Sequence, residues 1–231
     1  MAEIFKIDEY APLFNIEGAF EEDIQDAMVH GCYVANLAYR LAKKLGYDEE
    51  FCLKVMQAGM LHDIGKLRLE DGMYSRKEDL LKADEMKYVR MHPTLGYELL
   101  CEKKIGDNEI RQSVFHHHEN FDGSGYPDNI SGEDIPVGAR ILRVCDVYSA
   151  LVSDRHYREA YDKDTAITFM IEEVKNFDMR IFLALMELLH SDEFYEMEQL
   201  GEMMKNQVEI QKEKSANSQP AVAGRLATRL A

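Results

Sequence analysis

Of the twenty residue types, tryptophan is missing altogether, and only four cysteines occur in 231 residues. Cys32, Cys52, Cys101 and Cys145 are scattered and form no CxxC pair, which excludes a zinc ribbon and a disulfide framework and suits a reducing compartment. Basic residues are also short: 27 against 43 acids leaves a net charge of −16. Such a surface repels polyanions and acidic membranes, so duplex nucleic acid is excluded as a partner. An anionic substrate must therefore meet its positive charge locally, from metal ions or a few placed Lys and Arg. No apolar run is long enough to span a bilayer. MAEIFKIDEY, at the start, has neither the basic end nor the apolar core of a signal peptide. These absences together predict a cytoplasmic protein without membrane contact. No internal repeat occurs.

Hydrophobic residues make up 46% of the chain, a globular composition, and the length suits one fairly large domain with a tail. Helical periodicity dominates. Val34, Leu37, Ala38, Leu41 and Leu45 form one stripe of a helix over 19–45, stopped by Gly46. Asp48 can cap a second helix that ends near His62. Further helices are predicted over 82–91, from Pro93, over 108–118, from Pro136 through Leu151, over 163–174 and over 179–190. Pro93 should push His92 out of helical geometry. Asn176-Phe177-Asp178 supplies the turn and cap before the last of these helices. No alternating strand pattern occurs, so the expected fold is all-α. Residues 1–19 read as a short leading segment, 20–192 as the domain, and 193–231 as a charged helix followed by a flexible tail.

Chemistry concentrates in histidines and aspartates. His30 lies four before Val34 and seven before Leu37, on the core side of its helix, and Asp26 shares that face one turn earlier. A satisfied core histidine is the plainer account of His30 alone. In LHDIGK, His62 and Asp63 sit at a helix end, splayed by roughly 100° around the axis. They can share a site only if it is wide, as a pair of metals roughly 3.5–4 Å apart would be. Within VFHHHENFDGSGYP, a helical register puts His117 and His118 on the face of Ile110 and Val114, leaving His116 on the polar side as a bystander. Asp146 interrupts an apolar helix four residues after Leu142, and a buried carboxylate needs a partner.

With His92, the inward set becomes His30, His62, Asp63, His92, His117, His118 and Asp146. Each has an ordinary structural explanation alone; seven at once point to one metal site. Nitrogen and oxygen donors without a thiolate favour Fe, Mn or other first-row ions over a structural zinc. Seven ligands suit two metals with positions left for water and substrate.

These residues, in this order, resemble the HD-GYP branch of the HD phosphohydrolase superfamily. His30, HDIGK from His62 to Lys66, His92-Pro93, HHENFDGSGYP from His117 to Pro127, Asp146, and SDRHYR from Ser153 to Arg158 carry the likeness, over about residues 20–192. The resemblance implies an HD-type helical bundle with a metal centre in its core, and a metal-dependent phosphodiesterase that hydrolyses cyclic di-GMP. The family's ligand positions fall on the seven residues above, and it implies two or three divalent ions. It also implies that Lys66, Arg155 and Arg158 contact substrate phosphates, consistent with local cations in an acidic protein. The expected mechanism is in-line attack by a metal-bridged hydroxide, with Asp63 as the bridging carboxylate and Lys66 beside it. Gly123 and Gly125 should supply unusual backbone angles to the GYP loop, Tyr126 could stack on a base, and Glu119 and Asp122 should orient ligands or pin the loop.

The sequence departs from the family pattern twice. Trimetallic members carry Glu one turn before the first histidine, where this chain has Asp26, so a third ion and the product, pGpG or GMP, stay open. The family's frequent Asp three residues after the last metal aspartate is Ser149, which alters a substrate contact. Two other functions fit the residues. One is a phosphodiesterase for another cyclic (di)nucleotide. The other is a signalling module acting through its GYP surface on partners such as diguanylate cyclases.

Overall fold

A stripe of apolar side chains on a 24-residue helix organises the domain. In the computed structural model, which describes residues 21–69, 87–154, 158–196 and 198 (of 21–27 the backbone alone), α1 spans Glu21–Lys44. Its Val34, Leu37, Ala38 and Leu41 are wholly buried. Each large one contributes roughly 1.5–3 kcal/mol of burial. Asp48 caps α2 (Glu49–Leu61) by accepting from the Phe51 N–H, as the sequence suggests. The two helices cross closely. A Cβ on Gly31 would sit 2.6 Å from the Met60 carbonyl oxygen, and one on Gly59 would sit 2.9 Å from the Ala35 Cα.

A 3₁₀ turn (Ile64–Arg68) follows α2, and later come α3 (His92–Glu102), α4 (Asn108–Phe115) and α5 (Val137–Val152). Then α6 (Lys163–Glu172), a 3₁₀ turn (Val174–Asn176) and α7 (Met179–Leu189) complete this unit, which extends to Ser191. Asp107, Asp162 and Asp178 cap α4, α6 and α7 by accepting backbone N–H bonds. α1 packs on α2, α5 and α7, while α4 packs on α2, α3 and α5. The described residues form no β-strand, so the fold is all-α. No helix among them is long and apolar enough to cross a membrane. Residues 192–196, helical, belong to a second unit that begins at Asp192.

Several expectations are corrected here. His92 is the first residue of α3 rather than outside it, and Pro93 sits just inside the helix start. The first turn leaves backbone N–H groups unbonded anyway, so proline costs nothing there. α4 stops at Phe115, three residues short of the expected end, and His116 to His118 form a turn. The predicted 82–91 helix, the 1–19 segment and the C-terminal helix and tail fall wholly or mainly outside the described residues.

Candidate metal centre

The seven donors converge from five places in the chain. His30 comes from the middle of α1, His62 and Asp63 from the end of α2, and His92 from the start of α3. His117 and His118 follow α4, and Asp146 lies within α5. They form two adjoining groups: His30, His62 and Asp146 in one, Asp63, His92, His117 and His118 in the other, with donor atoms inside each group within 4.8 Å of one another.

Asp63 faces both. Its Oδ2 lies 3.4 Å from His62 Nε2 and 3.8 Å from His30 Nε2, while its Oδ1 lies 3.2 Å from His92 Nε2 and 3.9 Å from His117 Nε2. Asp146 Oδ1 closes the first group, 3.1 Å from His30 Nε2 and 3.6 Å from His62 Nε2. Gly65 of HDIGK makes this meeting possible. A Cβ there would collide with the His92 carbonyl oxygen and the Gly96 backbone, so only glycine lets the turn carrying Asp63 lie flat on α3.

Backbone carbonyls aim the rings. His62 Nδ1 donates to Gly59 O at 2.7 Å, His92 Nδ1 to Val89 O at 2.7 Å, and His117 Nδ1 to Val114 O at 2.6 Å. In each case the acceptor is three residues earlier. With Nδ1 carrying the proton, each Nε2 presents a lone pair inward, the arrangement metal-ligating histidines use.

This donor set fits a divalent cation on its own geometry. His92 Nε2 lies 3.2 Å from both His117 Nε2 and His118 Nε2, and His62 Nε2 and Asp63 Oδ1 are buried with no hydrogen bond. Facing lone pairs and unpartnered buried acceptors repel one another until a cation lies between them. Electrostatics agree. Burial, reinforced by neighbouring imidazoles, holds His117 and His118 well below the usual histidine range, so both are neutral. Burial opposes ionisation of Asp63 and Asp146, but Lys66 and His62 hold the first, and His30 and His62 the second, well below the carboxylate range. His62 is desolvated too, yet the two carboxylates push it up to about 10. The two carboxylates thus favour positive charge at this point, which a bound cation would supply.

The expected substrate residues divide. Lys66 Nζ is 2.6 Å from Asp63 Oδ2, at the centre's edge. Tyr126 stacks on His118 with centroids 4.8 Å apart, and the Arg90 guanidinium lies 5.2 Å from its ring centroid. Ser149 is wholly buried, with its Oγ 3.2 Å from His30 Nδ1, and so faces that ring. Arg158 is engaged elsewhere. Its guanidinium bonds the Ala150, Leu151 and Glu159 carbonyls and lies over Tyr161, closing the end of α5 instead of facing the donors. Arg155 and the Asp26 side chain lie outside the described residues.

The GYP loop is pinned by residues the sequence only half reveals. Glu119 Oε1 accepts from the Asp128 and Asn129 N–H groups at 2.6 and 3.0 Å, and Asp122 holds Ser124. His116 stays out of the donor set, as expected, but is buried, with Nε2 3.1 Å from Asp128 Oδ2. It is a loop anchor rather than a bystander on an open face. Gly123 does take a positive φ of 83°, whereas Gly125 is required for space, since a Cβ would strike the backbone of Glu119 and Asn120. The sequence reading missed Arg143, which lies one turn before Asp146 and bonds Asn120 Oδ1 at 3.0 Å.

Comparison with known proteins follows the same residues. A family model described as HD domain matches residues 18–181. The cyclic di-GMP phosphodiesterase response regulator RpfG of Xanthomonas campestris pv. campestris is 38% identical over 155 residues, covering 66% of this chain and 41% of that one. A 3′3′-cGAMP-specific phosphodiesterase of Vibrio cholerae is 31% identical over 184 residues, covering 79% of this chain and 35% of its own length. The chain thus spans about two fifths of the length of the curated relatives it matches. Among solved structures, an HDG"Y"P protein from Bdellovibrio bacteriovorus shares the fold, with a TM-score of 0.60, 22% identity, and coverage of 80% of this chain and 58% of that one.

Proposed function

The chain belongs to the HD domain family, and on that premise we propose that it is a metal-dependent phosphodiesterase that hydrolyses cyclic di-GMP to linear pGpG. One observation carries the reading: the two oxygens of Asp63 face two separate groups of donors. Two divalent ions, Fe or Mn, held by His30, His62 and Asp146 on one side and His92, His117 and His118 on the other, with Asp63 between, would supply Lewis acidity at phosphorus and activate a water. Water adds across one P–O3′ bond: its oxygen bonds to phosphorus in line, and the 3′-oxygen leaves with a proton. Lys66 sets its ammonium beside Asp63, where it balances the charge of the scissile phosphate. Tyr126 orients His118 and walls the site toward the GYP loop. Burial of the imidazoles keeps His117 and His118 unprotonated at neutral pH, ready to ligate. Residues 20–192 form the catalytic domain, in a cytoplasmic protein. Cleavage onward to GMP would draw on a third ion beside Asp26.

A second substrate is favoured by a specific finding. The 3′3′-cGAMP-specific relative matches 79% of this chain, more than RpfG does. Anaerobically purified protein loaded with Fe²⁺ or Mn²⁺ and given cyclic di-GMP and 3′3′-cGAMP in parallel, with products separated by chromatography, tests both. The proposal predicts pGpG, or GMP, from cyclic di-GMP at the higher kcat/KM. A preference for 3′3′-cGAMP would transfer the reading to that substrate, and no product from either with metal bound would overturn it.

A further inference from the structure

A chain with sixteen excess negative charges needs positive charge where a cyclic dinucleotide, with its two phosphates, would lie. Lys66 stands beside Asp63, and Arg158 bonds carbonyls at the end of α5. A further cation among the described residues is Arg143. It sits on α5 one turn before Asp146, half-buried, and near enough for its charge to act on Asp146, Tyr126 and His118. Its Nε donates to Asn120 Oδ1 at 3.0 Å. Asn120 Nδ2 in turn bonds Ser124 Oγ at 2.9 Å, which bonds Asp122 Oδ1 at 2.6 Å. One edge of the guanidinium is thus fixed by the GYP loop.

The opposite edge, Nη1 and Nη2, meets no carboxylate within 4.0 Å among the described residues. Glu173, whose charge also acts on Arg143, accepts from the Asn176 amide. The guanidinium is half-buried with no carboxylate at ion-pair distance, and burial pushes Arg143 below its ordinary value. The protein holds a planar two-donor fork beside its metal centre, oriented and unpaired.

Resting on the reading of this chain as a cyclic dinucleotide phosphodiesterase, we propose that Arg143 is a substrate-binding residue whose Nη1/Nη2 edge takes a phosphate oxygen of the dinucleotide. Fork geometry suits phosphate, and the Asn120 bond removes the rotamer search that binding would otherwise cost. Asn120 is the positioning residue, linking the GYP loop to substrate affinity. Tyr126 lies against His118, and Arg143 lies one turn from Asp146 on α5.

The test combines turnover with direct binding. KM and kcat for cyclic di-GMP are measured for wild type and for Arg143→Met, Arg143→Lys and Asn120→Ala, alongside calorimetric titration with cyclic di-GMP, metal content and thermal midpoint. Arg143→Met should raise KM and Kd roughly 10- to 100-fold, the loss of a hydrogen bond to a charged group, at unchanged metal content and midpoint. Arg143→Lys should recover part of that loss as a point charge, and Asn120→Ala should fall between Arg143→Met and wild type. KM and Kd unchanged in Arg143→Met, or an Asn120→Ala defect as large as that of Arg143→Met, would overturn the proposal by reducing Arg143 to a loop support. Should Arg143→Met fail to fold, Arg143→Lys decides: affinity equal to wild type or abolished together with metal would overturn it. Wild type that neither binds nor cleaves cyclic di-GMP would overturn the functional reading and this inference with it, an outcome distinct from active wild type with an indifferent Arg143→Met.

Discussion

Donors in helix bodies and donors at helix ends are held in different ways. His30 and Asp146 lie in the middles of α1 and α5, so their placement follows from how long helices pack around the core. His62, Asp63, His92, His117 and His118 lie at helix ends and in the turns beyond. There, the rings of His62, His92 and His117 are oriented by a carbonyl three residues earlier, and proximity comes from a glycine that lets two backbones touch. The mid-helix pair leans instead on a side chain, Ser149, for the orientation of His30. A rigid helix body fixes where a donor is, whereas a helix terminus, with unpaired carbonyls to spare, also fixes which nitrogen points inward.

Removing the one group that serves both halves of the donor cluster should do the most damage. Asp63→Asn should lower kcat by at least about 1,000-fold and cut bound metal, with the far-ultraviolet circular dichroism unchanged. A mild effect would mean the halves work independently. Gly65→Ala comes next. Its methyl would force the turn off α3, costing roughly 1–3 kcal/mol in urea unfolding and separating Asp63 from His92. Ser149→Ala should weaken metal affinity roughly 10-fold or more through the His30 half alone, leaving the other ion in place on titration. His116→Ala should cost about 1 kcal/mol or less of stability and a few-fold in KM, by releasing Asp128 from the loop, with metal content intact. The smallest contrast is chemical. Among four free cysteines only Cys101 is not buried, so a thiol reagent should label that one first in the folded protein.

The same division governs what the sequence discloses. Asp146 and His30 are legible from 3.6-residue periodicity, because each breaks or extends an apolar stripe. A continued helical register points His117 and His118 inward, but the helix ends at Phe115, so their facing comes from a turn rather than a helix. His116 shows the cost: the register put it on an open face, but beyond the helix end the chain bends and buries it against Asp128. For Ser149 and Arg158, a sequence pattern carries no information about which way the side chain points. Burial turned one toward His30 and carbonyl capping drew the other to the end of α5. Arg143 escaped notice because an arginine between apolar residues of a helix looks like a solvated charge until the loop from Glu119 to Asn129 is folded over it.

Whether one carboxylate joins both halves into a single centre is best tested by loading the protein with Mn²⁺ and recording its electron paramagnetic resonance spectrum. The account predicts two ions per chain and the multiline signal of an exchange-coupled pair, replaced in Asp63→Asn by uncoupled signals or lost with the metal. A wild-type spectrum of isolated Mn²⁺ at full occupancy would contradict it.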